Sequence, residues 1–395
     1  MRQIKFAAVF LILLVIAYSP HQSAWAQGKT ILKVCVNNTT GDILSKKKCK
    51  SIETRLSESS YSQGSRIINV ALNGAAHTTI QSALDAAAGA TPTAANPVVI
   101  KVAPGTYSLS SEIVLADNVS LQGSGVDLTI LSSTATTALS IGENSSLVDL
   151  TVASTSAEAG SVIVLVSNIT NEAKLNNIKL TYSGASSIVT GVYANASTVR
   201  LSGVDVEMTA QSGAVAFGID TISSATLNGE DIKITIVDGG SYGAYIRGGT
   251  TATLSDCEIT LSTSTGNDTI LGIKVSDTSS LFGQRLKVKA TETATGVAEA
   301  LQVNNATNVL IKDSYFETHG FANAAVYADG TGQLKLQNAV VVTTGSNPTL
   351  GTFDTGILSM GGGQLSGNSV IASGGTLTCA GVYNESFTFS ASSCP

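Results

Sequence analysis

Gly191-Val-Tyr-Ala-Asn, followed ten residues on by Leu201-Ser-Gly-Val204-Asp-Val206-Glu-Met208, decides the fold. A small residue opens a short apolar strand, a polar turn follows, and a second run alternates apolar with polar residues. The first half returns as Gly218-Ile-Asp-Thr-Ile, Ala244-Tyr-Ile-Arg-Gly, Gly272-Ile-Lys-Val-Ser, Ala300-Leu-Gln-Val-Asn, Ala325-Val-Tyr-Ala-Asp, Gly356-Ile-Leu-Ser-Met and Gly381-Val-Tyr-Asn-Glu, at steps of 27, 26, 28, 28, 25, 31 and 25 residues. The second half returns as Leu175 with Ile178, Leu180 and Tyr182, and as Leu254 with Cys257, Ile259 and Leu261. Weaker copies are Leu227 with Ile232 and Ile234, where Glu230 breaks the first apolar slot, and Leu281 with Leu286 and Val288. A period in the mid-twenties is one coil of a solenoid, whose inward side chains bury only against those of neighbouring coils. Propeller blades need about 40 residues, and the Asn-containing consensus of leucine-rich repeats is missing. The expectation is an all-β, right-handed parallel β-helix over residues 67–395, in coils of about 25–31 residues. Val206, Ile234, Ile259 and Val288 should point inward.

The N-terminus reads as an address. Arg2 and Lys5 precede an unbroken apolar run, Phe6 to Tyr18, and Ala24-Trp25-Ala26 supplies small residues at the cleavage positions. That is a secretory signal peptide over residues 1–26, too short for a comfortable membrane span. Its removal takes the formal net charge from −6 to −8 and leaves only His77 and His319, which argues against histidine-rich metal sites and a Ser-His-Asp triad. Residues 27–66 form a distinct basic segment containing Lys29, Lys33, Lys46, Lys47, Lys48 and Lys50. From residue 76 onward there are 12 basic and 25 acidic residues, so the body repels nucleic acid. In an exported chain cysteines pair. Cys35 and Cys49 lie 14 apart and Cys379 and Cys394 lie 15 apart, one pair near each end. Two such local disulfides would each add about 3 kcal/mol. Cys257 falls on an apolar strand position and reads as a buried free thiol.

The opening of the body carries a family resemblance. Thr79-Ile-Gln-Ser-Ala-Leu-Asp-Ala-Ala, Val98-Val-Ile-Lys-Val-Ala-Pro-Gly-Thr-Tyr107, Ile113-Val-Leu, Asn118-Val-Ser-Leu-Gln-Gly-Ser-Gly125 and Thr129-Ile-Leu131 together resemble the start of pectin-lyase-like β-helix proteins. Thr78-x-x-Gln81 reads as a capping box for a short helix that puts Ile80, Ala83, Leu84 and Ala87 over the open end of the stack. The segment from Cys379 to Cys394 resembles the terminal clasp of bacterial secreted members. The resemblance implies a carbohydrate-related role but not a reaction. The Asn-Thr-Asp, Asp-Asp, Gly-His-Gly and Arg-Ile-Lys set of polygalacturonases is absent. So are the Gln-Asp and Asp-Phe-x-Phe-Gly elements of pectin methylesterases and the Arg-x-Pro-x-x-Arg pattern of many pectate lyases. The only Trp, Trp25, leaves with the signal peptide, although nine tyrosines remain to stack on sugars.

One constellation suggests chemistry. Aligning coils on the second strand puts Asp205, Asp231, Glu258 and Arg285 in one outward column, beside Glu207, Lys233, Thr260 and Lys287. Stacked carboxylates invite a cation, so Asp205, Asp231 and Glu258 are candidate Ca²⁺ ligands. Arg285 or Lys287 is the candidate base for proton abstraction from a uronate, as the resemblance to pectate lyases implies.

The leading reading is a non-catalytic exported β-helix presenting a side wall to a polysaccharide or another cell-envelope component. The alternatives are a polysaccharide lyase using the stacked carboxylates and an adhesive or structural surface protein joined through residues 27–66. Secreted protein is expected to begin at Gln27 with Cys35 linked to Cys49. Intact mass and non-reducing peptide mapping check both, and a mass retaining residues 1–26 rules out cleavage.

Overall fold

The computed structural model describes residues 66–395 apart from 265–267, 294–295, 321–323, 345–347, 368–369, 385, 387, 391–393 and 395. Nearer the N-terminus it describes only the backbone of three strands. Of these, Lys33–Asn37 pairs antiparallel with both Ile43–Lys46 and Glu53–Arg55. These strands belong to one compact unit, residues 1–64, and Ser65–Pro395 form another. The expected signal peptide and the Cys35–Cys49 disulfide lie outside the described residues.

The larger unit is a parallel β-helix. An eleven-stranded parallel sheet, from Ile113–Leu115 to Ile371–Ser373, forms one wall. The remaining strands form a continuous sheet that wraps the other sides. The helix Ile80–Gly89 covers the first coils with Ile80, Ala83, Leu84 and Ala87 buried, as its apolar spacing requires. Its cap is Thr79, one residue later than the sequence suggested. The Thr79 hydroxyl accepts from the Ser82 amide at 3.2 Å, while Gln81 donates to Asp85 instead.

Inward residues stack coil on coil. Val206 pairs with Ile234, Ile234 with Ile259, Ile259 with Val288 and Val288 with Phe316. All five are buried, so the expected inward register holds. A second column runs Leu175, Leu201, Gly229, Leu254, Gly283 and Ile311. Leu227 and Leu281, which had looked like members of it, sit two positions earlier, in the column of Val199 and Ala252. Glu230 therefore breaks no apolar slot: it faces solvent between Ser202 and Ser255. Cys257 is buried and free, and burial pushes its thiol up to about 12, so it remains a protonated core side chain.

The small residues that mark the repeat have a steric role. Gly191, Gly218, Gly243 and Gly272 lie in successive strands of the eleven-stranded sheet and face the Val206–Val288 column across the lumen. A Cβ on Gly243 would stand 2.3 Å from Ile259 Cγ2, and one on Gly272 would stand 2.2 Å from Val288 Cγ1. The ladder pairings skip these glycines in every coil, so the strands kink together there. The anchor of the third repeat is thus Gly243, not Ala244, because Ala244 pairs with Ile219. Gly356 and Gly381 are not anchors. They precede strands of the wrapping sheet, and Val326 is matched instead by Leu350. At the far end a disulfide joins Cys379, on the strand Thr376–Ala380, to Cys394.

Gly243→Ala should destabilise the protein by about 1–3 kcal/mol through overpacking. Ile259→Asp should cost several kcal/mol by burying a charge without a partner. Urea unfolding checks both, and an unchanged midpoint for either variant contradicts the facing columns.

Candidate functional site

Outward positions are of two kinds, corners and strand faces. One corner of each coil needs a left-handed backbone, which Asp, Asn and Gly adopt most readily. Asp149, Asn177, Gly203, Asp231, Asp256, Arg285, Asp313, Asn338 and Gly362 occupy it, with φ between 50° and 67°. Asp231 and Arg285 are therefore corner residues and do not share a column with Asp205.

The strand column beside the corner is Lys179, Asp205, Lys233, Glu258 and Lys287, with charges alternating in sign. The expected stack of Asp205, Asp231 and Glu258 does not form. Asp205 and Glu258 stand two coils apart, roughly 9–10 Å, with Lys233 between them. The neighbouring column is Glu207, Thr235, Thr260, Lys289 and Glu317, which also differs from the expected one. Among the described residues no three His, Cys, Asp or Glu side chains come together where they could hold a metal ion.

The two candidate bases are both engaged. Arg285 forms a two-pronged pair with Asp256, both bonds at 2.6 Å, and Lys287 Nζ lies 2.6 Å from Glu258. The hydrogen bond that Lys287 donates to Glu258 holds it above its ordinary range, the wrong direction for a group that must accept a proton. Asp205 is different. Burial, then the charge of Glu207, raises its pKa against the opposing pull of Lys233 and Lys179. Its Oδ1 has no hydrogen-bond partner among the described residues, because Lys179 turns to Glu207 at 2.8 Å.

The more concentrated chemistry lies on the outer face of the eleven-stranded sheet. Because the strands kink at the glycine, the residues on both sides of it turn outward. Phe217 and Asp220 do so in one coil, and Tyr242 and Tyr245 in the next. Their rings form a pillar: Phe217 to Tyr242 is 5.0 Å between centroids at 15°, and Tyr242 to Tyr245 is 5.3 Å at 17°. Lys274, one coil on, places its ammonium 5.4 Å from the Tyr245 centroid and 5.9 Å from that of Tyr242. The Arg247 guanidinium lies 4.7 Å from the Tyr245 centroid and is held by buried Asp220 through bonds of 3.1 and 2.9 Å. That hydrogen bonding raises the Arg247 pKa, so its charge is fixed. Burial, reinforced by Tyr245 and Glu299, raises the Tyr242 phenol, which stays a hydroxyl donor near neutral pH. The two buried carboxylates of this face, Asp220 and Glu299, are three coils apart. Coil spacing alone separates them by roughly 14 Å, more than the about 5–10 Å that paired glycosidase carboxylates require.

The family model described as "Rhamnogalacturonase A/epimerase, pectate lyase-like" matches residues 67–298, more than half of the chain. The chain belongs to this family. No curated protein sequence matches this pectate-lyase-like chain. Among solved structures it is similar in fold to the mannuronan C-5 epimerase AlgE6 A-module of Azotobacter vinelandii. That match has 15% identity and a TM-score of 0.42 and covers 75% of this chain and 94% of that one. It is also similar to the pectin methylesterase PemA of Erwinia chrysanthemi, with 10% identity and a TM-score of 0.35 over 78% and 89% of the two chains. The catalytic domain of a GH87 α-1,3-glucanase matches at 12% identity and a TM-score of 0.43, over 82% and 67%.

The sequence did carry a signal for the aromatic face. The third residue of the repeat pentapeptides, Tyr193, Asp220, Lys274, Gln302 and Tyr327, forms one outward column together with Tyr245. Reading those positions down the repeat, instead of the second strand, would have found the face. Asp220→Ala should cost this pectate-lyase-like chain roughly 1–3 kcal/mol, because Arg247 loses both of its hydrogen bonds. Asp231→Asn should leave stability essentially unchanged, since Asn suits the same corner. Paired urea titrations check the contrast, and equal effects would refute the assignment of buried pair and exposed corner.

Proposed function

We propose that this protein binds a polysaccharide along the outer face of the eleven-stranded sheet, with the Phe217–Tyr242–Tyr245 pillar and Lys274 as the binding element. The observation that carries this reading is the pillar itself: half-buried stacked rings topped by a cation. Stacked rings cover one another's faces, so they present edges and phenolic hydroxyls outward. Edges, hydroxyls and an ammonium suit a hydroxylated, anionic chain better than a flat apolar ligand. Family membership supports a carbohydrate ligand, and export of the chain would bring it to one.

A second reading, a uronate-cleaving lyase, rests on one observation. Two phenols and an ammonium stand together on this face, the types of group that exchange protons with a substrate.

Affinity electrophoresis in gels containing polygalacturonate, alginate or a neutral glucan tests the binding. Retardation is expected in a polyuronate gel, and Tyr245→Ala and Lys274→Ala should each abolish most of it. Unretarded wild-type protein in every gel contradicts the proposal. A rise in ultraviolet absorbance from unsaturated uronate would move the assignment to the lyase.

A further inference from the structure

We propose that Arg247 is the specificity-determining residue of the aromatic face, and that its guanidinium reads the carboxylate of a uronate in the bound glycan. The inference rests on the carbohydrate reading above and deepens it.

The guanidinium is held side-on by Asp220. Its Nε donates to one carboxylate oxygen at 3.1 Å and its Nη2 to the other at 2.9 Å. The Asp220 side chain is 4% exposed and that of Arg247 31%, so the carboxylate is buried while the guanidinium reaches solvent. A guanidinium carries five N–H donors in one plane. The pair to Asp220 takes two of them along one edge. The edge formed by Nη1 and the second hydrogen of Nη2 makes no hydrogen bond among the described residues. It is the end of the side chain farthest from the backbone. Its two parallel N–H groups match the two oxygens of a flat carboxylate, a match that the point charge of Lys274 cannot make.

The surroundings hold this edge ready. Tyr193, Asp220 and Tyr245 are consecutive in one outward column. The Tyr245 ring centre lies 4.7 Å from the guanidinium carbon, and Asp220 sets the guanidinium plane. A side chain fixed in this way loses little freedom when a ligand arrives. Lys274, on the next coil, stands 5.4 Å from the same ring centre. A sugar with its carboxylate on Arg247 therefore has an aromatic ring beside it and a second cation within reach. A methyl ester at the same place offers no charge and only one carbonyl oxygen, so it forfeits the paired bonds.

Calorimetry of the full chain tests this with oligogalacturonates and oligoalginates, each as the free acid and as the methyl ester, and with a neutral glucan. The expected result is that one acid binds about tenfold more tightly than its ester. Arg247→Lys keeps the charge and removes the fork. It should weaken acid binding about tenfold, leave ester binding unchanged and hold the melting temperature, because an ammonium still pairs with Asp220. Equal affinity of wild-type protein for acid and ester, or binding of the neutral glucan alone, overturns the carboxylate reading and leaves the carbohydrate reading standing. That comparison needs no variant, so it decides the question even if Arg247→Lys fails to fold. A folded Arg247→Lys protein with unchanged acid affinity also overturns the inference. So does one that loses acid and ester binding equally, since Arg247 would then only brace Tyr245. No binding to any probe removes the carbohydrate reading and this inference together.

Discussion

The solenoid depends on one steric fit, a column of glycines in one wall receiving a column of β-branched side chains from the other. Gly243 has room only for hydrogen because Ile259 Cγ2 occupies the place of its Cβ, and Gly218 and Gly272 stand in the same relation to Ile234 and Val288. Each inward Ile or Val contributes on the order of 1.5–3 kcal/mol of burial, and that burial requires the opposite backbone to approach this closely. The kink of the eleven-stranded sheet falls at the same position. The kink turns residues three apart in sequence, such as Tyr242 and Tyr245, onto one outer face. Core packing and surface chemistry are thus linked at a single glycine in each of the four coils of Gly191, Gly218, Gly243 and Gly272.

The corners impose a second constraint. At the corner of Asp149, Asn177 and Asp231 each coil turns through one left-handed residue, which Asp, Asn and Gly adopt at lowest cost. The acidic residues at Asp149, Asp231, Asp256 and Asp313 follow from that requirement. Where neighbours permit, the corner side chains bond across coils, as Asn177 does to Asp149 at 2.7 Å and Arg285 does to Asp256. An acidic corner column is therefore a property of the winding and does not by itself indicate a metal site. The strand column beside it alternates Lys with Asp or Glu, which relieves the repulsion that stacked like charges about 4.8 Å apart would create.

These two constraints explain what the sequence disclosed. Inward residues were legible because burial favours apolar side chains, so Val206, Ile234, Ile259 and Val288 repeat visibly. The helix face over Ile80, Ala83, Leu84 and Ala87 was legible for the same reason. Outward columns were not, because their residues answer to no common chemical demand and one corner residue offsets the alignment. Asp231 is three positions before its inward reference, Ile234, whereas Asp205 is one position before Val206, yet both are aspartates next to an apolar residue. The offsets at Leu227 and Leu281 arose similarly: Gly229 and Gly283 fill the leucine slot, since neighbouring Ile232 and Leu286 already reach into that space.

The division between core and surface also bears on how function is carried. The inward columns hold the coils together, so an outward residue is free to change provided its corner and its kink are kept. On the outer face of the eleven-stranded sheet that freedom has produced Val114, Ser140, Leu165 and Tyr193 in the coils before the pillar. Phe217, Tyr242 and Tyr245 with Lys274 and Arg247 then gather three stacked rings and two cations on adjacent coils. Ring stacking of this kind adds about 0.5–1.5 kcal/mol per pair beyond the area that the rings bury. Asp220, buried and committed to Arg247, has a further cost of desolvation that an exposed Ser or Thr would avoid. On the function proposed above, a ligand that covers the rings and meets the ammonium offsets that cost.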